Sequence, residues 1–113
     1  MTGAEIAARL RAEGRGVLAL VMEARGSTPR EAGAAMLVTP AGALGTIGGG
    51  ALEHRATGAA RAMLDAPWPE HRIEEAALGP TLDQCCGGHV RLALAPLSAA
   101  EADRFEAGRA ELW

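Results

Sequence analysis

Apolar residues change their spacing several times along the chain, and each change marks an element. Ile6 and Leu10 stand four apart behind Thr2-Gly3-Ala4-Glu5. In such a capping box the hydroxyl and the carboxylate each accept a free amide at the start of a helix, and Gly14 is placed to end it. A helix over residues 3–13 is predicted. Val17 to Met22 is an unbroken apolar run, which suits a central strand covered on both faces better than an alternating surface strand. Ala34 to Val38 and Ala43 to Ile47 flank Thr39-Pro40-Ala41-Gly42, whose proline and glycine mark the turn of a hairpin. Beyond Gly48-Gly49-Gly50, the residues Leu52, Ala56, Ala59, Ala60, Met63 and Leu64 keep helical spacing and predict a helix over 50–65, ended by Pro67-Trp68-Pro69. Ile73 sits in a short strand over 71–77, and Val90, Leu92 and Leu94 alternate with His89, Arg91 and Ala93 in a strand over 89–95. Ser98-Ala99-Ala100-Glu101 is a second capping box, opening a final helix in which Ala102, Phe105 and Leu112 share a face. The pattern predicts an α/β protein, with α+β as the variant: a single domain with a small mixed sheet flanked by helices.

Composition narrows the function classes. The 113 residues make one domain with one core. With 49% hydrophobic and 22% charged residues the chain has the composition of a folded protein. Aromatics are only 3%, the net charge is -3 and the arginines are scattered, so neither base stacking nor phosphate neutralisation along a duplex is provided for. No apolar run is long enough for a membrane span and no signal-peptide pattern opens the chain, which predicts a cytoplasmic protein. Lysine is absent, so an anion must be held by guanidinium groups or backbone amides. Cys85 and Cys86 are adjacent, and a trans peptide holds neighbouring Cα atoms at about 3.8 Å, closer than a disulfide prefers. A structural disulfide between them is not expected.

Three loops carry the candidate chemistry, each following a predicted strand. Ser27, Thr28 and Arg30 place two hydroxyls beside a guanidinium fork that can grip a phosphate or other oxyanion; an exposed turn with a solvated arginine is the plainer reading. Gly48, Gly49 and Gly50 open the second helix, where backbone amides point outward and no Cβ obstructs a ligand; a sharp strand-to-helix turn needing glycine for steric reasons explains them equally well. Glu53 in the first helical turn complements the helix dipole or faces a ligand. Gln84-Cys85-Cys86-Gly87-Gly88 sets soft sulfur ligands among glycines; the spacing is not that of a zinc site, and buried packing cysteines are the alternative. His54 and His71 read as solvated surface residues. No nucleophile elbow and no paired-carboxylate pattern is present.

Taken together, Gly26-Ser27-Thr28-Pro29-Arg30, Gly33-Ala34-Ala35-Met36, Gly45-Thr46-Ile47-Gly48-Gly49-Gly50-Ala51-Leu52-Glu53, Leu78-Gly79-Pro80 and Gln84-Cys85-Cys86-Gly87-Gly88 resemble the XdhC/CoxI family of accessory factors for molybdenum hydroxylases. The resemblance spans residues 16 to 95 and implies a chaperone, not an enzyme, that binds molybdenum cofactor (molybdopterin), protects its sulfurated form and helps insert it into a molybdenum hydroxylase such as xanthine dehydrogenase. It implies cofactor binding by Ser27, Thr28, Arg30, Gly48, Gly49, Gly50, Glu53, Gln84, Cys85, Cys86, Gly87 and Gly88, with Cys85 and Cys86 at the metal end. A cysteine desulfurase is a further implied partner. Family members usually continue into a second, Rossmann-like domain, and residues 1–113 contain no second domain of that kind; the chain acting alone, acting with a separately encoded Rossmann-like partner, or forming part of a longer polypeptide are the three alternatives this leaves open. The competing expectation is a thiol-dependent sulfur-transfer or redox enzyme using Cys85 or Cys86.

Overall fold

The computed structural model describes residues 1–25, 33–67, 70–78 and 88–106, with main chain alone at 23–25, 76–78 and 88–89. Helix α1 (Gly3–Glu13) begins with the anticipated capping box: the Thr2 amide donates to Glu5 Oε1 at 2.9 Å and the Glu5 amide to Thr2 Oγ1 at 3.2 Å. It ends where Gly14 turns left-handed at φ 82°. Strand β1 (Arg15–Arg25) follows, then the hairpin of β2 (Ala35–Thr39) and β3 (Gly42–Gly45), helix α2 (Gly50–Asp65), β4 (Arg72–Leu78) and β5 (Gly88–Ser98). A short 3-10 turn (Ala99–Glu101) with its own capping box leads into α3 (Ala102–Glu106), so the last predicted helix begins one turn late and tightly wound. Leu112, assigned to its apolar face, lies outside the described residues.

The strand order is β3-β2-β1-β5-β4. All four pairings are antiparallel, which corrects the mixed sheet expected from the sequence. The reason is connectivity. Sequence neighbours β1–β2, β2–β3 and β4–β5 are joined by reversals, and α2 alone carries the chain from one edge of the sheet to the other. Its 16 residues span about 24 Å, enough to cross the ~19 Å width of five strands.

The apolar run of β1 is central, and its residues alternate between two cores. Val17, Ala19 and Val21 join Met36, Val38, Val90, Leu92 and Leu94 under Leu52, Ala56, Ala60, Met63 and Leu64 of α2. Leu18 joins Leu37, Ala95 and Leu97 under Ile6, Ala7 and Leu10 of α1 and Ala102 and Phe105 of α3. Ala7 of α1, Ala102 of α3 and Ala56 and Ala60 of α2 let the helices lie close to the sheet, which is how a chain almost without aromatics fills its core. At the far end of α2, Ala66 is extended before Pro67, and the Arg15 guanidinium donates to the Leu64 carbonyl at 2.7 Å, taking up an orphan acceptor. The strand predicted to run to Ile47 stops at Gly45, because Ile47 instead turns inward and is fully buried beneath α2.

Candidate functional site

Strand register decides where the candidate loops can meet. Leu20 is opposite Ala35, Met36 opposite Gly45, Arg25 opposite His89 and Leu78 opposite Gly88. The outgoing ends of β1, β3 and β4 and the incoming ends of β2 and β5 therefore lie at one end of the sheet. The β1–β2, β3–α2 and β4–β5 connections all leave from that end. These are the three connections that hold the candidate residues: Ser27, Thr28 and Arg30 in the first, Gly48, Gly49 and Gly50 in the second, and Gln84, Cys85, Cys86 and Gly87 in the third. Ser27, Thr28, Arg30 and Gln84 to Gly87 lie outside the described residues, and Gly88 is described as the first residue of β5. At this same end the β1–β5 register slips by one residue between Val21 and Glu23, a bulge at Met22 that adds local twist beneath the loops. Backbone bonds from Val21 to Ala34 O and from Gly33 to Val21 O, both 2.8 Å, tie the return of the first connection to β1 just below the bulge.

The second connection is described in full. Gly48, Gly49 and Gly50 have φ of 114°, 74° and 65°, three successive left-handed residues that only glycine adopts at low cost. Gly49, the N-cap of α2, has ψ −167°, in a region that is essentially glycine's alone. The turn is held from below by buried Ile47 and from above by one carboxylate oxygen. Glu53 Oε1 accepts from the Thr46 hydroxyl, from the Ile47 amide at 3.0 Å and from the Gly49 amide at 3.1 Å. Thr46 Oγ1 in turn accepts from the Gly48 amide at 3.1 Å. The Thr46 hydroxyl, joined by the Ile47 and Gly49 amides, holds the Glu53 carboxyl below its ordinary value against the opposing effect of burial. Glu53 is thus the anion of its own glycine nest.

Thr46 was not among the sequence candidates. Its signal was present: a hydroxyl two residues before a glycine run forms a turn with the amide two residues on, and a carboxylate in the following first helical turn can close over both. The approach to the turn is open. A Cβ at Gly49 or Gly50 would meet nothing within 4 Å. Beside it a cavity of about 290 Å³ lies between the first and second connections, lined by Met1, Gly33, Ala34, Ala35, Gly45 and Thr46. His54 is exposed on α2, next to Glu53 in the chain, and His71 is exposed just before β4. Among the described residues no helix is long and apolar enough to cross a membrane.

Comparison with known proteins gives two results. A sequence profile of the XdhC and CoxI family matches residues 9–74, a stretch that includes the β1–β2 connection and the glycine turn and ends before the cysteine loop. A crystal structure of a xanthine dehydrogenase from Bacillus halodurans superposes with a TM-score of 0.76 at 23% identity, over 95% of this chain and 34% of that one. At that identity the likeness is one of fold, and the chain spans about a third of the length of that structure. No curated protein sequence matches.

Proposed function

The chain belongs to the XdhC and CoxI family, and from that membership we propose that it is an accessory protein of a xanthine dehydrogenase-type molybdenum enzyme, binding molybdenum cofactor and passing it on in its sulfurated form. The observation that carries the reading is the departure of all three candidate connections from one end of the sheet. An oxyanion-binding arginine loop, a glycine turn and a thiol pair are thereby joined to a single rigid edge, and molybdopterin is a ligand with a phosphate, a polar pterin and a dithiolene-bound metal.

When bound, the cofactor supplies redox and sulfur chemistry to the enzyme that receives it; this chain's residues hold it. The donor set fits. Arg30 offers a bidentate fork to the phosphate, with Ser27 and Thr28 beside it. Cys85 or Cys86 offers a soft sulfur to the metal end, followed in the chain by Gly87 and Gly88, which carry no side chain. The glycine turn lets the ligand approach the backbone without a Cβ in the way. Because two of its amides already serve Glu53, the phosphate falls to Arg30 and not to the turn. Sulfur supply by a cysteine desulfurase belongs to the same proposal.

The test is purification from a molybdenum-replete host, followed by measurement of bound molybdenum and of pterin fluorescence after oxidation. Both are expected at near-stoichiometric levels, lowered about tenfold or more in Arg30→Ala, and lowered for molybdenum in Cys85→Ser or Cys86→Ser. Protein that carries neither molybdenum nor pterin, or carries both undiminished in all three variants, overturns the reading.

A further inference from the structure

We infer that β4 is the edge by which two copies of this chain join, antiparallel and two-fold, with Ile73 on the symmetry axis. Among the described residues β4 (Arg72–Leu78) pairs only with β5, so every second amide and carbonyl along its other side is turned away from the sheet. The helices pack over β1, β2 and β5 and do not stand in the way of a strand laid beside it. Ile73 in this edge is 54% exposed, more than any other large apolar side chain described. Its register opposite Ala93 puts it on the face of α1 and α3, beyond the cluster those helices cover, where a single chain leaves it to water. The Arg55 guanidinium reaches this edge, but it is exposed and its bond to the Glu75 carbonyl is long, at 3.4 Å, so a strand amide can replace it.

Hydrogen bonding and charge together select the register. Antiparallel strands exchange bonds only between residues that both point outward, and in a two-fold pair this places the axis on a residue and not between two. Arg72, Glu74 or Glu75 on the axis would set like charges directly opposite each other. Ala76, Ala77 or Leu78 there pairs no opposite charges within the strand. Ile73 on the axis sets Ile73 against the partner's Ile73 and Arg72 against the partner's Glu74, and the symmetry repeats that ion pair. Within one chain Arg72 and Glu74 already lie side by side on the α2 face, 2.9 Å apart. The dimer therefore closes a ring of four alternating charges around the axis on one face and an apolar pair on the other.

The same register keeps the candidate site clear. The β4–β5 connection leaves after Leu78, about 17 Å along the strand from Ile73, and the two-fold operation sends the partner's connection to the opposite end of the doubled sheet. Each copy keeps its own three loops open, so the dimer stands or falls independently of the cofactor reading.

Sedimentation equilibrium of the full chain, over a series from roughly 1 μM to 1 mM to suit a small interface, reads the dimer. Wild type is expected to dimerise within that range. Ile73→Lys, Arg72→Glu and Glu74→Arg, each counted twice by the symmetry, are expected to raise the dissociation constant about tenfold or more while circular dichroism shows an unchanged fold. An equimolar mixture of Arg72→Glu and Glu74→Arg restores opposite charges at both facing pairs, so it should associate one-to-one with near wild-type affinity although neither variant does so alone. Should Glu74→Arg not fold, Arg72→Glu and Ile73→Lys, both at exposed positions, carry the test. Wild type that stays monomeric at about 1 mM overturns the inference. A dissociation constant left unchanged by any folded variant overturns it as well, and so does a mixture that associates no better than its components, which would place the contact in another register.

Discussion

Gly49→Ala separates backbone strain from packing at the glycine turn. Gly49 sits at φ 74°, ψ −167°, and the added Cβ would meet no atom within 4 Å. The cost is therefore conformational: holding an alanine in that region takes about 1–3 kcal/mol. Gly58, in the middle of α2, is the control. A Cβ there also meets nothing within 4 Å, and its backbone is helical, so Gly58→Ala is expected to stabilise by about 0.5–1 kcal/mol. Both substitutions remove the same freedom from the unfolded chain, so that contribution cancels between them. What remains is the strain at position 49. At about 4 °C of midpoint per kcal/mol for a domain of this size, the two variants should melt roughly 4–12 °C apart, Gly49→Ala below and Gly58→Ala above wild type. Thermal unfolding followed by far-ultraviolet circular dichroism, checked by urea midpoints, reads the difference. If the two variants shift in the same direction and differ by less than about 0.5 kcal/mol, the turn does not impose its glycine geometry and the argument from left-handed backbone is wrong.

Three further outcomes are expected. A Cβ at Gly3 would stand 2.1 Å from the Phe105 carbonyl oxygen, a contact with backbone that cannot swing away, so Gly3→Ala should destabilise by about 1–3 kcal/mol; Gly42→Ala, where nothing lies within 4 Å, should leave the melting midpoint nearly unchanged. Leu94→Ala should cost about 2–5 kcal/mol in urea unfolding, because Leu94 is fully buried beneath α2 and the strands on either side leave its space little room to collapse; a cost below about 1 kcal/mol would contradict the assigned core. Glu53 has a folded-state pKa below its unfolded value, so its contribution to stability is complete above the ordinary carboxylate range and is lost as pH falls through the folded value; the acid limb of stability should flatten in Glu53→Gln relative to wild type between about pH 6 and about pH 3, and identical limbs would remove the Thr46–Glu53 contact from the stability of the turn.

How much was legible without coordinates depended on the range of the interactions. Helices α1 and α2 appear at the residues predicted for them, 3–13 and 50–65, because capping boxes, glycine stops and a helical apolar period are local signals that reach at most four residues. The central place of β1 was equally readable: an unbroken apolar run has no polar face to give to water, and the structure buries Val17, Leu18, Ala19 and Val21 between the two cores, while Leu20 is half-buried and Met22, at the bulge, is exposed. Strand direction was not readable, since a period of two is the same in parallel and antiparallel ladders, and the sheet proved wholly antiparallel. At the candidate site the glycine run was visible as residues able to take positive φ. That its amides are answered by Glu53, with Thr46 as intermediary, required the turn to fold the carboxylate back seven residues. Likewise, each of the three loops announced itself locally, but only the register of five strands places their ends together. The amino-acid sequence determined which backbone each segment could adopt, because those preferences are paid residue by residue; the tertiary structure decided which segments share an edge and which donor finds which acceptor, because those depend on pairings between residues far apart in the chain.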